Sequence, residues 1–139
     1  MRQAQETVTI ATEGPGLYEF TDAVARWTAA QDISTGLLTL FSRHTSASLV
    51  IQENADPQVM DDLLRFFRRL VPDGDPLFRH VAEGPDDMPA HVKSALTATS
   101  LNVPVGKGRP LLGTWQGIYL FEHRAQPHRR QVTLHLLGE

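Results

Sequence analysis

Small polar and β-branched side chains alternate over residues 6–12, a period of two that predicts a strand. Gly14, Pro15 and Gly16 end it in a turn. Thr21 and Asp22 offer caps to a short helix with Ala23, Val24 and Trp27 at helical spacing, and the pattern fades at Gln31 and Asp32. Residues 36–41 and 46–51 are rich in strand formers and only residues 42–45 separate them, which predicts two strands that pair or share a sheet. Asp56 and Pro57 open the clearest helix. The aspartate caps it, the proline presets its first φ, and Val59, Met60, Leu63, Leu64, Phe67 and Leu70 recur three and four residues apart. The opposite face, with Asp61, Arg65, Arg68 and Arg69, reads as solvated surface.

Prolines at 72 and 76 stop that helix, a loop runs to residues 83–87, and residues 88–96 read as a shorter helix. Beyond it, period-two stretches at 100–105, 111–112, 115–123 and 130–137 predict strands, with turns at 106–108 and 124–129. No repeat or linker divides residues 1–139, so one domain is expected. Strands interleaved with helices, then a run of antiparallel strands, predict an α+β fold. The expected form is a β-sandwich-like arrangement of mostly antiparallel strands with two to three flanking helices, rather than a doubly wound parallel sheet.

Composition changes the chemistry more than the fold. The 139 residues are 41% hydrophobic and 21% charged, a globular balance. There is no cysteine, so disulfides, thiolate nucleophiles and cysteine zinc sites are excluded and any metal is held by nitrogen and oxygen. Thirteen Lys and Arg against 16 Asp and Glu give a formal charge of −3, which argues against nucleic-acid binding by phosphate neutralisation while leaving room for a local basic pocket. The first residues lack an apolar signal core and no stretch approaches the roughly 18 apolar residues of a span. No membrane partner and a cytoplasmic location are therefore expected.

Six histidines raise the question of a metal. His135 lies on the strand face opposite Val132, Leu134 and Leu136, and His128 lies in a proline-containing turn, so both are expected outside any site. His91 falls in the predicted first turn of a helix, where the positive dipole end disfavours imidazolium and leaves the neutral, ligating form. Asp87, four residues earlier, either caps that helix or turns its carboxylate into the same site. Lys93 offers a cation to a phosphate at the helix start. His44 opens a segment with hydroxyls at 45, 46 and 48, His123 sits between Glu122 and Arg124, and His80 lies in the long loop. A serine triad built from Ser46 or Ser48, His44 and Asp56 lacks the nucleophile elbow, and the Gly106–Gly108 segment lacks phosphate-loop spacing and reads as a hairpin turn.

Five blocks together resemble the YjbQ-like family, also known as secondary thiamine-phosphate synthases. They are His-Thr-Ser-Ala-Ser-Leu from His44, Glu-Asn-Ala-Asp-Pro from Glu53, Asp-Asp-Met-Pro-Ala-His-Val-Lys from Asp86, Leu-Gly-Thr-Trp-Gln-Gly-Ile from Leu112, and Glu-His-Arg from Glu122. They come in the family's order and spacing across essentially the whole chain. The resemblance implies a sandwich-like α+β fold, a homotrimer, and a site that holds a divalent ion, zinc or magnesium, beside an anion. Matched by motif, His44, His91 and His123 are the implied metal ligands; Glu53, His80 and Asp87 are the candidate catalytic groups; Ser46, Lys93 and Arg124 are the candidate phosphate contacts. Val81 stands where several relatives carry an acidic residue after the histidine.

The family name implies condensation of a pyrimidine diphosphate with a thiazole phosphate, releasing pyrophosphate, as a minor activity. Two readings follow. One is a metal-dependent enzyme acting on a small phosphorylated metabolite. The other is a trimeric metal- or metabolite-binding protein without dedicated catalysis; beside these two stands a purely structural reading, with the polar blocks as hydrogen-bonding cores of the trimer and Trp115 and Gln116 buried between subunits. Trp115, Tyr119 and Phe121 share one strand parity, and their face is expected to be covered by a neighbouring subunit.

Overall fold

Val132, Leu134 and Leu136 are fully buried while their neighbours Gln131 and Leu137 are exposed, so the alternation read from the sequence puts one face of the last strand in the core. A computed structural model describes residues 1–139. Its elements run β1 (Arg2–Glu13), β2 (Gly16–Glu19), α1 (Thr21–Ala30), β3 (Gly36–Ser42), β4 (Ala47–Glu53), α2 (Pro57–Leu70), α3 (Asp87–Leu96), β5 (Ser100–Gly106), β6 (Arg109–Pro110), β7 (Gln116–Glu122) and β8 (Pro127–Gly138). A five-stranded sheet has the order β1-β8-β3-β5-β6 and a three-stranded sheet the order β2-β7-β4, with every pairing antiparallel. Between them lies one apolar cluster to which β3, β4, β5, β7, β8 and α1 contribute. Leu38, Leu40, Leu49, Ile118, Leu120, Leu134 and Leu136 are completely buried, each contributing about 1.5–3 kcal/mol.

The expected α+β sandwich with flanking helices is what the chain forms. Asp56 caps α2 as expected, its carboxylate accepting the Gln58 N–H at 2.9 Å with Pro57 at the helix start. The two-residue turn at Lys107 and Gly108, with φ of 52° and 74°, joins β5 to β6 in the primed geometry that suits antiparallel strands.

Four details differ. The strands at 36–42 and 47–53 lie in opposite sheets, because both bury their inner faces against the same core and residues 43–46 cross between the layers. Gly16–Glu19 is a strand, paired with Tyr119–Glu122 of β7, that local pattern did not reveal. Thr21 makes no cap; its hydroxyl donates to Glu19 and accepts from the Ile118 N–H, tying α1 to β7. Tyr119 and Phe121 are already buried within this one chain, Phe121 edge-on to Phe67 of α2 at 5.3 Å, whereas Trp115 is 63% exposed in the turn before β7 and Gln116 is exposed too.

Two charged side chains interrupt the core. Arg130 has the inward parity of Val132 and Leu134, and it meets Glu122 of the other sheet, Nε donating to Oε1 at 2.7 Å and Nη2 to Oε2. Glu122 is 0% exposed and Arg130 4%. The Thr12 hydroxyl of β1 donates to Glu122 Oε1 at 2.6 Å, and Arg130 Nη2 also reaches Ser46 Oγ at 3.0 Å. Burial alone would push the Glu122 carboxyl up, but hydrogen bonds from Arg130 and Thr12 bring it below its ordinary value.

Arg130→Met is expected to lower unfolding free energy by about 3–5 kcal/mol, because it strands a buried carboxylate. The Arg130→Met/Glu122→Leu pair should recover most of that in urea melts. Since the folded carboxyl is depressed, its stabilisation is complete above the unfolded glutamate pKa of about 4.3 and is lost as pH falls through the lower folded value. An unchanged melt for Arg130→Met would contradict this account.

Candidate metal centre

The loop after α2 and the first turns of α3 bring His80, Asp87 and His91 together, with one ligand atom from each lying within 4.8 Å of the others. Asp87 and His91 are one helical turn apart and so share a face. His80 returns from the loop to complete the group. Asp87 Oδ2 lies 2.7 Å from His80 Nε2 and 3.1 Å from His91 Nε2, and the two rings are 5.6 Å apart. The aspartate side chain is 2% exposed, His91 30% and His80 47%, so the carboxylate forms the floor and the imidazoles the rim.

Asp87 makes no cap bond; of its two expected roles the carboxylate takes the one inside the site. Burial pushes its pKa up, yet His80, Glu83, His91 and Arg124 together hold it below the ordinary value. Arg124 fixes the other oxygen, Nη1 donating to Asp87 Oδ1 at 2.8 Å while Nε donates to Asp86 at 2.9 Å and Nη2 to the Glu83 carbonyl at 3.0 Å. All three nitrogens of this guanidinium are engaged in positioning.

His91 carries the decisive geometry. Its Nδ1 lies 3.0 Å from the Thr45 carbonyl, which can only accept, so Nδ1 bears a proton. In the neutral ring Nε2 is then a bare lone pair facing the Asp87 oxygen, and a cation or a second proton must stand between them. A backbone carbonyl holding the distal N–H is the usual support of a metal-binding histidine. Helix α3 begins at Asp87, so His91 lies one turn inside it, and Thr45 rather than the helix start orients the ring.

The other predicted residues lie elsewhere. His44 does not join this group: its Nε2 accepts the Gln131 N–H at 2.7 Å, and burial with the nearby Arg130 lowers its pKa. His123 is also separate, with Nε2 2.9 Å from Ser48 Oγ and its Nδ1 buried without a partner. Ser46 is buried and held by Arg130. Glu53 ends β4, about five residues or roughly 16 Å along the strand from Ser48, and its carboxylate accepts the Asp56 N–H. Lys93 is in the last turn of α3, away from its N-terminus. His128 and His135 bond to the Gln126 carbonyl and to Gln5, outside the group. Val81 is 63% exposed; the partner carboxylate of His80 comes from Asp87.

Sequence reasoning passed over Arg130, whose inward parity was readable, and the Thr45 carbonyl, for which the sequence carries no signal. A model of the family described as "UPF0047 protein YjbQ-like" matches residues 6–139. The chain belongs to this family. Among YjbQ-like relatives, the UPF0047 protein sll1880 of Synechocystis is 53% identical over 138 residues, 99% of this chain and 94% of that one. The UPF0047 protein YjbQ of Escherichia coli O157:H7 is 46% identical, covering 97% and 98%. The crystal structure of the conserved hypothetical protein TT1486 from Thermus thermophilus superposes with a TM-score of 0.84 at 39% identity, over 95% of this chain and 99% of that one.

Burial, with Lys93 nearby, lowers the His123 pKa from 6.5 to about 3. A histidine whose folded pKa is depressed leaves the unfolded chain as the better proton binder between those two values, so this residue makes stability rise with pH from about 3 to 6.5. In NMR titrations the His123 ring is expected to stay neutral across pH 5–8. A midpoint near 6.5 would show that the ring is not buried as described.

Proposed function

We propose that His80, Asp87 and His91 hold a divalent metal ion and that the protein is a cytoplasmic metal-dependent enzyme acting on a small phosphorylated metabolite. The observation that carries this reading is the Thr45 carbonyl on His91 Nδ1, which turns the other nitrogen's lone pair toward a carboxylate. Two imidazoles and one carboxylate favour zinc over magnesium, and three protein ligands leave a position open for substrate. When bound, the ion supplies Lewis acidity toward a phosphoryl oxygen. The chain's own residues orient: Arg124 holds Asp87, Thr45 holds His91, and Glu83 stands 3.7 Å from His80.

Beside His91 opens a groove of about 650 Å³, lined by Phe41, Arg43, His44, Thr45 and Ser94 among others, a size suited to a small metabolite. Arg43 is exposed there and supplies a cation for substrate phosphate. A trimer fits the same region. Leu37, Phe41 and Leu137 are 46%, 48% and 43% exposed on the outer face of the five-stranded sheet, where Leu37 and Leu137 are cross-strand neighbours. A second subunit on that face would border the groove.

Titration calorimetry and elemental analysis are expected to find one zinc per chain, with His80→Ala, Asp87→Asn and His91→Ala each weakening it by roughly 100-fold or more and His44→Ala and His123→Ala leaving it within a few-fold. The reverse pattern would move the metal to the other histidines. Thiamine-phosphate formation is expected to be slow and to vanish with chelation or His91→Ala. A fast wild-type rate would show a dedicated synthase, and metal-tight protein without turnover on any phosphorylated substrate would favour the binding-protein reading. Light scattering should give three subunits for the wild type and one for Phe41→Asp/Leu137→Asp; a monomeric wild type would remove the trimer.

A further inference from the structure

Lys93 carries an ammonium into the fold and leaves it unpaired. Two residues along a helix is a turn of about 200°, so Lys93 points to the side of α3 away from His91. The residue is 8% exposed, forms no ion pair, and its ammonium has no hydrogen-bond partner. Desolvation lowers its pKa, with Asp73 acting on it from a distance in the opposite sense. A partly desolvated cation without a partner is costly, and a bound counter-ion lowers that cost.

The side chain borders a small cavity of about 40 Å³ between α2, α3 and the end of β7, lined also by Arg68, Asp73, Asp86, Phe121 and His123. Of the three carboxylates on the wall, Asp86 is already taken by Arg124 and by the Ala125 N–H, Glu122 is paired with Arg130, and Asp73 is exposed to solvent. His123, 3% exposed, has one ring edge on Ser48 and its Nδ1 without any partner. The Thr97 hydroxyl has one proton and two acceptors in reach, the Lys93 carbonyl at 2.8 Å and Ser48 Oγ at 2.6 Å, and the second contact is the shorter. With the Thr97 proton on that shorter contact, Ser48 donates to His123 Nε2, and the neutral ring carries its own proton on Nδ1, an N–H donor at the cavity wall.

We propose that this cavity is an oxyanion site, in which Lys93, the Nδ1–H of His123 and the guanidinium of Arg68 receive the oxygens of a phosphate group. A water needs about 10–15 Å³ of such space, so the cavity admits the few oxygens of one small oxyanion and excludes a nucleotide. Phe67 and Phe121 on the wall keep bulk water away and strengthen the charge-assisted bonds. The site is separate from the metal centre and does not rest on the metal reading.

The test is titration of the full-length protein with inorganic phosphate, followed by calorimetry and phosphorus NMR, with and without EDTA. Saturable binding in the millimolar range or tighter is expected, and it persists in EDTA, where the metal centre cannot contribute. Lys93→Met and Arg68→Ala should each weaken it roughly tenfold or more. Circular dichroism checks the fold of Lys93→Met, and Arg68 is exposed, so its variant has no reason to misfold. In a parallel arm, competition by glycerol phosphate identifies a phosphate carried on a metabolite, and its failure identifies the free ion; both leave the site standing. Non-saturable binding, affinity in both folded variants equal to that of the wild type, or loss of binding in EDTA would overturn the proposal.

Discussion

The buried pair of Glu122 and Arg130 is the constraint on which the rest of the molecule depends. Each residue belongs to a different sheet, and their bidentate contact fixes how the layers face one another. A buried ion pair contributes little net stability over apolar packing, but it penalises any arrangement that separates the partners. The placement of β7 across the core from β8 therefore has one satisfactory solution, and Thr12 and Ser46 complete the hydrogen bonds that make it satisfactory.

The same carboxylate organises the next residues of the chain. Glu122 Oε2 accepts the N–H groups of both His123 and Arg124, so the strand leaves the sheet in a defined direction. Arg124 is thereby aimed at Asp86 and Asp87, which fixes the start of α3, and α3 in turn sets His91 against Thr45 and Lys93 against the opposite cavity. A single ion pair in the core reaches, through three consecutive residues, both faces of one helix.

Much of the scaffold was readable from local pattern. The period of Val59 to Leu70 and the Asp56–Pro57 start gave α2, and the alternation from Ser100 onward gave the antiparallel half. Long-range pairing was less accessible. Which sheet holds Ala47–Glu53 depends on the core face shared with residues far along the chain, and the four-residue β2 exists because β7 offers it an edge. For the site, residue types were legible and groupings were not. His44, His91 and His123 share a motif-level signature, yet a backbone carbonyl, a serine hydroxyl and a backbone N–H send each ring to a different partner. Arg130 was visible as a charge on the inward parity of an apolar strand, the pattern that marks a buried partner on the facing sheet.

Helix α2 closes the outer side of the three-stranded sheet by its amphipathic stripe alone: none of its residues is fully buried, and its inner side chains, Val59, Met60, Leu63, Leu64 and Phe67, are only half-covered. An element held by partial burial opens at lower free energy than strands whose inner faces carry the core. The molecule thus separates two kinds of motion. Its core-facing strands open last, while α2 lifts from Phe121 ahead of the Glu122–Arg130 stitch, and the rate at which solutes reach the Lys93 cavity becomes a property of this helix rather than of the core.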